Sequence, residues 1–295
     1  MSSSATAIPA ETPLLSASRL ISQALSLLRD SPDSAPSQDA ISQLQLSLDV
    51  LTKLDPYIES HSAAPPAAFE GLAQATVSED WAARHREGKT AFPLGAQFSA
   101  GAYEGMFVAQ VAKSIRAKRV LEVGMFTGTT TLCIADQLPA GGKVIALEID
   151  AYLKDFLKPH AEKAGVSEKI EVMTGKAKDS IETILKEVQS GKAEPFDLIF
   201  IDADKEGYQG YFDQIINGGL LAKSGTLLCD NTLYKGSPFL EEGSPQIEKL
   251  LAKVPGISVN NAVALRKFND NVLQDKRVLS TILPIRDGVT WINWA

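Results

Sequence analysis

A short apolar strand that ends in a glycine turn and runs straight into a helix limits the folds open to this chain more than any other stretch. Val120-Leu121-Glu122-Val123 is an apolar run broken by one acid. Gly124 and Gly128 follow, four apart, and Thr129-Thr130-Thr131-Leu132-Cys133-Ile134-Ala135 continues as a helix. A continuous apolar run marks a parallel strand buried on both faces. Glycine lets the backbone take positive φ or approach a ligand closely. The helix that follows aims its free N–H groups and positive dipole end back at the turn. Such a unit fits any βα turn of an α/β protein, or one that holds a ligand.

The alternation continues downstream. Strands are expected at 143–148, 169–173, 196–201 and 225–229, and helices at 101–115, 151–165, 177–189, 208–216, 244–254 and 260–274. Residues 278–283 and 289–294 read as a closing hairpin across Pro284 to Gly288. Strands alternating with helices predict a parallel sheet covered on both faces. Upstream, Leu20, Ile21, Ala24, Leu25 and Leu28, and then Ile41, Leu44, Leu48, Leu51 and Leu54, recur at helical spacing. They predict two helices, parted by the breaker Ser31 to Pro36, the second ending before Pro56. Another helix is expected around Ser78-Glu79-Asp80-Trp81. Met1 to Pro13, rich in Ser, Ala and Pro, is expected to be disordered. The chain therefore divides into a helical extension, 1–66, too small to bury a core alone, and a main domain, 67–295.

The formal net charge is −7, and no basic face of the kind nucleic-acid binding needs is apparent, so no nucleic-acid partner is expected. No apolar run approaches the roughly 20 residues of a membrane span, and the N-terminus lacks a signal-peptide pattern. A cytosolic protein without a membrane partner is expected. Cys133 and Cys229 lie in apolar segments and read as buried thiols of a reducing compartment.

Ligands of open parallel sheets sit beyond the C-terminal strand ends. The strands deliver Gly124, then Glu148-Ile149-Asp150, then Gly175, then Asp202-Ala203-Asp204-Lys205, then Asp230-Asn231. An acid at the second strand end can accept two hydrogen bonds from a ribose diol, with Glu148 the first candidate and Asp150 the second. The glycine spacing is E-x-G-x-x-x-G, and Phe126 stands where a dinucleotide fingerprint has its middle glycine. That argues against a nicotinamide dehydrogenase. Asp202, Asp230 and Asn231 offer three oxygen donors, two of them anionic, which suits a hard ion such as Mg²⁺. His61, His85 and His160 are scattered and make no zinc set. Beside a dication Lys205 would have a lowered pKa and could act as a general base.

These motifs carry a resemblance. The glycine turn resembles the first motif of Rossmann-like S-adenosylmethionine methyltransferases. Glu122-Val123-Gly124-Met125-Phe126-Thr127-Gly128, Ile201 to Lys205, Asp230-Asn231-Thr232-Leu233-Tyr234 and Arg286-Asp287-Gly288-Val289-Thr290, in that order, resemble the cation-dependent O-methyltransferases of the caffeoyl-coenzyme A type. Catechol O-methyltransferase is a more distant relative. The resemblance runs from about Phe98 to the C-terminus. It implies a Rossmann-like methyltransferase fold: a mostly parallel seven-stranded sheet, helices on both faces, an antiparallel C-terminal hairpin, and the N-terminal helical extension as an addition. It implies that Glu122, Gly124, Met125 through its backbone, Thr130, Glu148, Ala177 and Asp204 line the S-adenosylmethionine site. Asp202, Asp230 and Asn231 would bind Mg²⁺ or another divalent cation such as Ca²⁺ or Mn²⁺. Lys205 and Asp202 would be the catalytic pair, and Glu104-Gly105 matches the acidic-glycine pair on the helix over the cofactor. A small phenolic, catechol-like acceptor and a homodimer are further implications. Three places depart from the family: Phe98-Ser99-Ala100 where a Met and Thr are usual, Tyr234 where plant members usually carry Trp, and Arg286 in place of a common Gly. Two other functions stay open, a methyltransferase for a carboxylate or other hydroxyl that needs no chelation, and a non-catalytic cofactor-binding protein. Acceptor-pocket shape is expected to depend on 91–103, 234–242, Trp291 and Trp294.

Overall fold

The computed structural model describes residues 13–30, 38–239, 245–246, 249–250 and 257–295. The expected break at 31–36, the start at 1–12 and most of the helix expected at 244–254 lie outside these residues. The chain divides into two compact units, 1–63 and 64–295.

In the first unit α1 (Pro13–Asp30) packs on α2 (Gln38–Ser60). α2 does not stop before Pro56 but runs through it. A proline removes one backbone N–H and crowds the carbonyl four residues back, a cost that is smallest near a helix end, where carbonyls lose their partners anyway. The last turn is closed by the His61 N–H, which donates to the Tyr57 carbonyl at 3.1 Å, and by side chains. The Ser60 hydroxyl donates to the Tyr57 carbonyl at 3.0 Å, and the His61 ring stacks on Tyr57 at 4.0 Å.

In the second unit seven strands form one sheet: β1 (Arg119–Val123), β2 (Lys143–Glu148), β3 (Ile170–Thr174), β4 (Phe196–Ile201), β5 (Leu221–Cys229), β6 (Val278–Leu283) and β7 (Val289–Trp294). Their order is β3-β2-β1-β4-β5-β7-β6. β3 through β5 are parallel, and β7 is inserted antiparallel between β5 and β6. This is the Rossmann-like methyltransferase arrangement expected from the sequence. The order reverses between β1 and β4, so the crevice beyond their C-terminal ends is where such a sheet opens a site. β5 starts at Leu221, earlier than its apolar run suggests. A register shift opposite Phe196 and Leu198 accommodates Ala222-Lys223-Ser224, whose exposed polar residues hide the strand from a hydrophobicity reading.

Alternation along the strands feeds two cores. Val120, Val144, Ala146, Leu198, Phe200 and Leu228 point to one face. They meet α3 (Ala67–Ser78), α5 (Gly101–Ser114), α6 (Thr129–Gln137) and α7 (Ala151–Ala164). Leu121, Val123, Ile145, Leu147, Ile199 and Ile201 point to the other. They meet α8 (Ala177–Gln189), α9 (Tyr208–Gly218) and α10 (Val259–Gln274). The expected helix around Ser78 to Trp81 is instead a break between α3 and α4 (Trp81–Arg86). Asp80 caps α4, its Oδ1 accepting from the Ala83 N–H at 2.8 Å, and a capping acid stands outside the helix it starts.

Cys133 and Cys229 are free and fully buried, and burial pushes the Cys133 thiol up to about 12. The folded protein should leave both thiols unreactive towards an aromatic disulfide reagent at pH 8, and release both in denaturant. Prompt labelling of the native protein would contradict this packing.

Candidate active site

The glycine turn is held by backbone geometry that only glycine tolerates. Gly124 has φ +95°, and a Cβ there would stand 2.2 Å from the Asp202 carbonyl oxygen. The end of β1 therefore touches the end of β4 with no side chain between them. Gly124 and Met125 N–H both donate to the Leu147 carbonyl at 3.1 Å, which turns the chain over the end of β2. Phe126 takes φ +51°, and its N–H donates to Glu148 Oε2 at 2.8 Å. The other Glu148 oxygen accepts from the Asp150 N–H at 3.0 Å. Both oxygens are thus aimed by backbone, and burial raises the Glu148 pKa against those hydrogen bonds. Asp150, the second ribose candidate, has one oxygen on the Ala91 N–H at 2.8 Å.

Glu122 and Thr130 lie buried beside the turn. Glu122 Oε2 accepts from the Thr131 hydroxyl in the first turn of α6. Burial pushes its pKa up to about 8, with the Asp202 and Glu148 charges adding to the shift. A carboxyl whose folded pKa exceeds its ordinary 4.5 stabilises the fold below that value, and the contribution is lost as pH rises through 8. Glu122→Gln keeps an acceptor for Thr131 and removes the charge. Its Tm without ligand should equal the parent's near pH 5 and exceed it increasingly towards pH 9. A pH-independent difference in Tm would contradict the burial argument.

At the ends of β4 and β5 the expected acids converge. Asp230 is 2% exposed, and its N–H donates to the Ile201 carbonyl at 2.9 Å, which sets it beside the end of β4. Burial and the Asp202 charge raise its pKa. Asn231 follows at φ +55°, with its N–H on Asp230 Oδ1 at 2.6 Å. Lys205 Nζ donates to Asp202 Oδ1 at 2.8 Å and to the Tyr208 hydroxyl at 2.7 Å. Desolvation pulls the Lys205 pKa down, but the Asp202 and Asp230 charges outweigh it and hold it above the ordinary lysine value. The loop carrying Asn231 is clamped by the turn before β7. Thr232 and Leu233 N–H donate to the Gly288 and Asp287 carbonyls, each at 2.9 Å, and a Cβ at Gly288 would meet Leu233 Cγ at 2.4 Å.

Two parts of this cluster are not legible in the sequence. Glu104, expected over the cofactor, reaches the acids from α5. It is 2% exposed, burial and the Asp230 charge raise its pKa, and its Oε1 has no hydrogen-bond partner among the described residues. Tyr208, the first residue of α9, was read only as a helix start. Asp204 turns from the cluster to accept from the Tyr211 hydroxyl at 2.5 Å. Ala177 is half-buried at the start of α8, next to the β3 end. Among the described residues no three His, Cys, Asp or Glu side chains are grouped to hold an ion by themselves. The expected set differs in kind, with two carboxylates and an amide. It fits a hard cation nonetheless, being all oxygen, with Glu104, Asp202 and Asp230 facing a single ammonium and one buried carboxyl oxygen left unsatisfied.

The departures also resolve. The Tyr234 hydroxyl accepts from the Ser258 N–H at 3.2 Å and Asn261 Nδ2 at 3.1 Å, so this ring anchors α10. Phe98, 48% exposed, lies 6.2 Å from Phe126 and 6.5 Å from Phe92. The Arg286 guanidinium stands 5.8 Å over the Tyr103 ring, next to Glu104. Trp294, expected to shape the acceptor pocket, bonds the Leu221 and Ala222 carbonyls at the start of β5, the far end of the sheet. The antiparallel direction of β7 carries it there.

A family model described as O-methyltransferase matches residues 74–294. The chain belongs to the O-methyltransferase family. It is 33% identical to tricin synthase 1 of Oryza sativa subsp. japonica over 188 residues, 63% of this chain and 71% of that one. It is 33% identical to caffeoyl-CoA O-methyltransferase 1 of Eucalyptus globulus over 194 residues, 63% of this chain and 71% of that one. Among solved structures, the SAH-bound methyltransferase PaMTH1 of Podospora anserina superposes with a TM-score of 0.65 at 25% identity, covering 84% of this chain and 96% of that one. Membership makes the chain an S-adenosylmethionine-dependent O-methyltransferase, of the caffeoyl-CoA type expected from its motifs. Among the described residues no helix is long and apolar enough to cross a membrane.

Proposed function

We propose that the chain is a divalent-cation-dependent O-methyltransferase that methylates one hydroxyl of a small catechol-like phenol. One observation carries the reading: the glycine turn at Gly124 and the Asp202/Asp230/Lys205 cluster meet in direct backbone contact. Donor and acceptor sites built on them would be neighbours, the proximity a bimolecular transfer needs. Relatives named for caffeoyl-CoA and tricin support the acceptor class.

In this reading Glu148 receives the ribose hydroxyls, and Met125 offers its backbone. Glu122, Gly124 and Thr130 would line the S-adenosylmethionine site, Asp204 would stand near its amino-acid end, and Ala177 would lie against the adenine. Asp202, Asp230 and Asn231 would hold Mg²⁺, with Ca²⁺ or Mn²⁺ as substitutes. When bound, the cation lowers the pKa of a chelated hydroxyl and S-adenosylmethionine supplies an electrophilic methyl. Lys205, with Asp202 and Asp230 committed elsewhere, loses the charges that hold it protonated and can accept the phenolic proton. S-adenosylmethionine held there would supply the methyl to the acceptor oxygen, with its sulfur as the leaving group.

The test is methyl transfer to a panel of catechols, monophenols and carboxylic acids, with EDTA, Mg²⁺ and Ca²⁺ arms. Transfer to catechols alone, abolished by EDTA and restored by Mg²⁺, is expected. Full activity in EDTA would remove the cation from the mechanism, and transfer to carboxylic acids would replace the acceptor class.

A further inference from the structure

We propose that Tyr208 is a positioning residue whose hydroxyl fixes the direction of the Lys205 amine towards the acceptor. The inference rests on the proposed role of Lys205 and adds a residue to it.

The geometry is that of a locked donor. Among the described residues Lys205 Nζ has two hydrogen-bond partners, Asp202 Oδ1 at 2.8 Å and the Tyr208 hydroxyl at 2.7 Å. A lysine nitrogen has four tetrahedral positions, one of them its own Cε. Two bonds fix its rotation and leave a single position for a proton or lone pair. One partner alone would leave two positions between which a proton and the lone pair could exchange. Asp202 Oδ1 is therefore one point of attachment and the Tyr208 hydroxyl the second.

Tyr208 is itself held from every side. Its hydroxyl accepts from Lys205 and has one proton to give, to the Asp230 carbonyl at 3.0 Å or the Ile201 carbonyl at 3.2 Å. Those carbonyls belong to the ends of β4 and β5, so the oxygen reads the position of both strand ends. Its ring is fully buried and packed edge-on against Phe268 of α10 at 5.6 Å. The Lys205 nitrogen also stands 4.9 Å from the Tyr208 ring centroid. A buried hydroxyl with three possible partners is costly to misplace. α9 begins at this residue, so the 3-10 turn Lys205–Gly207 brings lysine and tyrosine to the same oxygen across one short turn.

A purely structural hydroxyl, one that only ties β4 to β5, would act on the cation ligands and not through the lysine. A double-mutant cycle separates the two roles. Tyr208→Phe should lower kcat by about tenfold, the scale of one well-placed hydrogen bond to a charged group. It should leave the KM for S-adenosylmethionine and the calorimetric Kd for Mg²⁺ within about twofold. In a Lys205→Met background the same substitution should change kcat by less than about twofold, because there is no amine left to aim. Equal losses in both backgrounds, a weakened Mg²⁺ Kd, an unchanged kcat or a Tyr208→Phe protein that does not fold would each assign the hydroxyl to structure and overturn the proposal. A fully active Lys205→Met enzyme would instead remove the role of the lysine, and with it the residue through which Tyr208 acts.

Discussion

Asp230→Asn is expected to lose methyl transfer by roughly 100-fold or more and, in the same preparation without cation, to unfold at a higher temperature than the parent. The loss follows from the proposed role of Asp230, since charge stabilisation by a bound ion is worth several kcal/mol. The gain follows from burial. Asp230 is 2% exposed, and burial together with the Asp202 charge disfavours its carboxylate. Asparagine keeps an acceptor for the Asn231 N–H and removes a charge that the folded chain holds at a cost. A stabilisation of about 1 kcal/mol would raise Tm by roughly 2–4 °C in a domain of this size. Activity assays with saturating Mg²⁺ and calorimetric scans in EDTA read the two effects. Opposite signs are the signature of a site assembled for a ligand. A variant that keeps full activity would remove Asp230 from the reaction. One that melts lower in EDTA would show that the carboxylate supports the fold.

Gly124→Ala should be the most damaging small substitution in the catalytic unit. The added Cβ would stand 2.2 Å from the Asp202 carbonyl oxygen, 2.7 Å from its carbon and 3.0 Å from Ala203 Cα. All three are backbone, so no side chain can swing away, and the φ of +95° is itself strained for alanine. The expected cost is about 3 kcal/mol or more, with the ends of β1 and β4 forced apart and S-adenosylmethionine binding lost. Gly165→Ala is the control. Its φ is +70°, and nothing lies within 4 Å of the added Cβ. It should cost only the left-handed backbone penalty, about 1–2 kcal/mol. Urea unfolding of the two variants checks the difference. Equal costs would mean that strain, and not the contact with β4, sets the penalty at Gly124.

How far the sequence reaches can be judged from particular elements. β2, β4, β6, β7 and α8 fall at the residues expected, because their apolar runs or helical stripes end at clear polar or glycine boundaries. β5 does not, because Ala222 to Ser224 are solvated within a bulge. α2 crosses Pro56 and α3 stops at Ser78, since proline near a helix end is tolerated and an acid in a helical window can be the cap of the next helix. The site shows the same divide. Strand-end acids were legible because an open parallel sheet delivers its ligand groups at those ends.

What the sequence by itself determined is thus the alternation of strands and helices, the glycine turn and the order of the acidic motifs, all carried by local pattern. Only the tertiary structure decided which of these meet. No local pattern links Glu104 to Asp202 or to Asp230; it reaches the acids because α5 packs on the sheet face beside α6 and β4. Tyr208 likewise joins Lys205 to two strand ends through a single buried oxygen. The physical reason is common to both. A hydrophobic period fixes which face of an element is buried, whereas a buried polar atom finds its partners only when the packed elements bring them within hydrogen-bond reach.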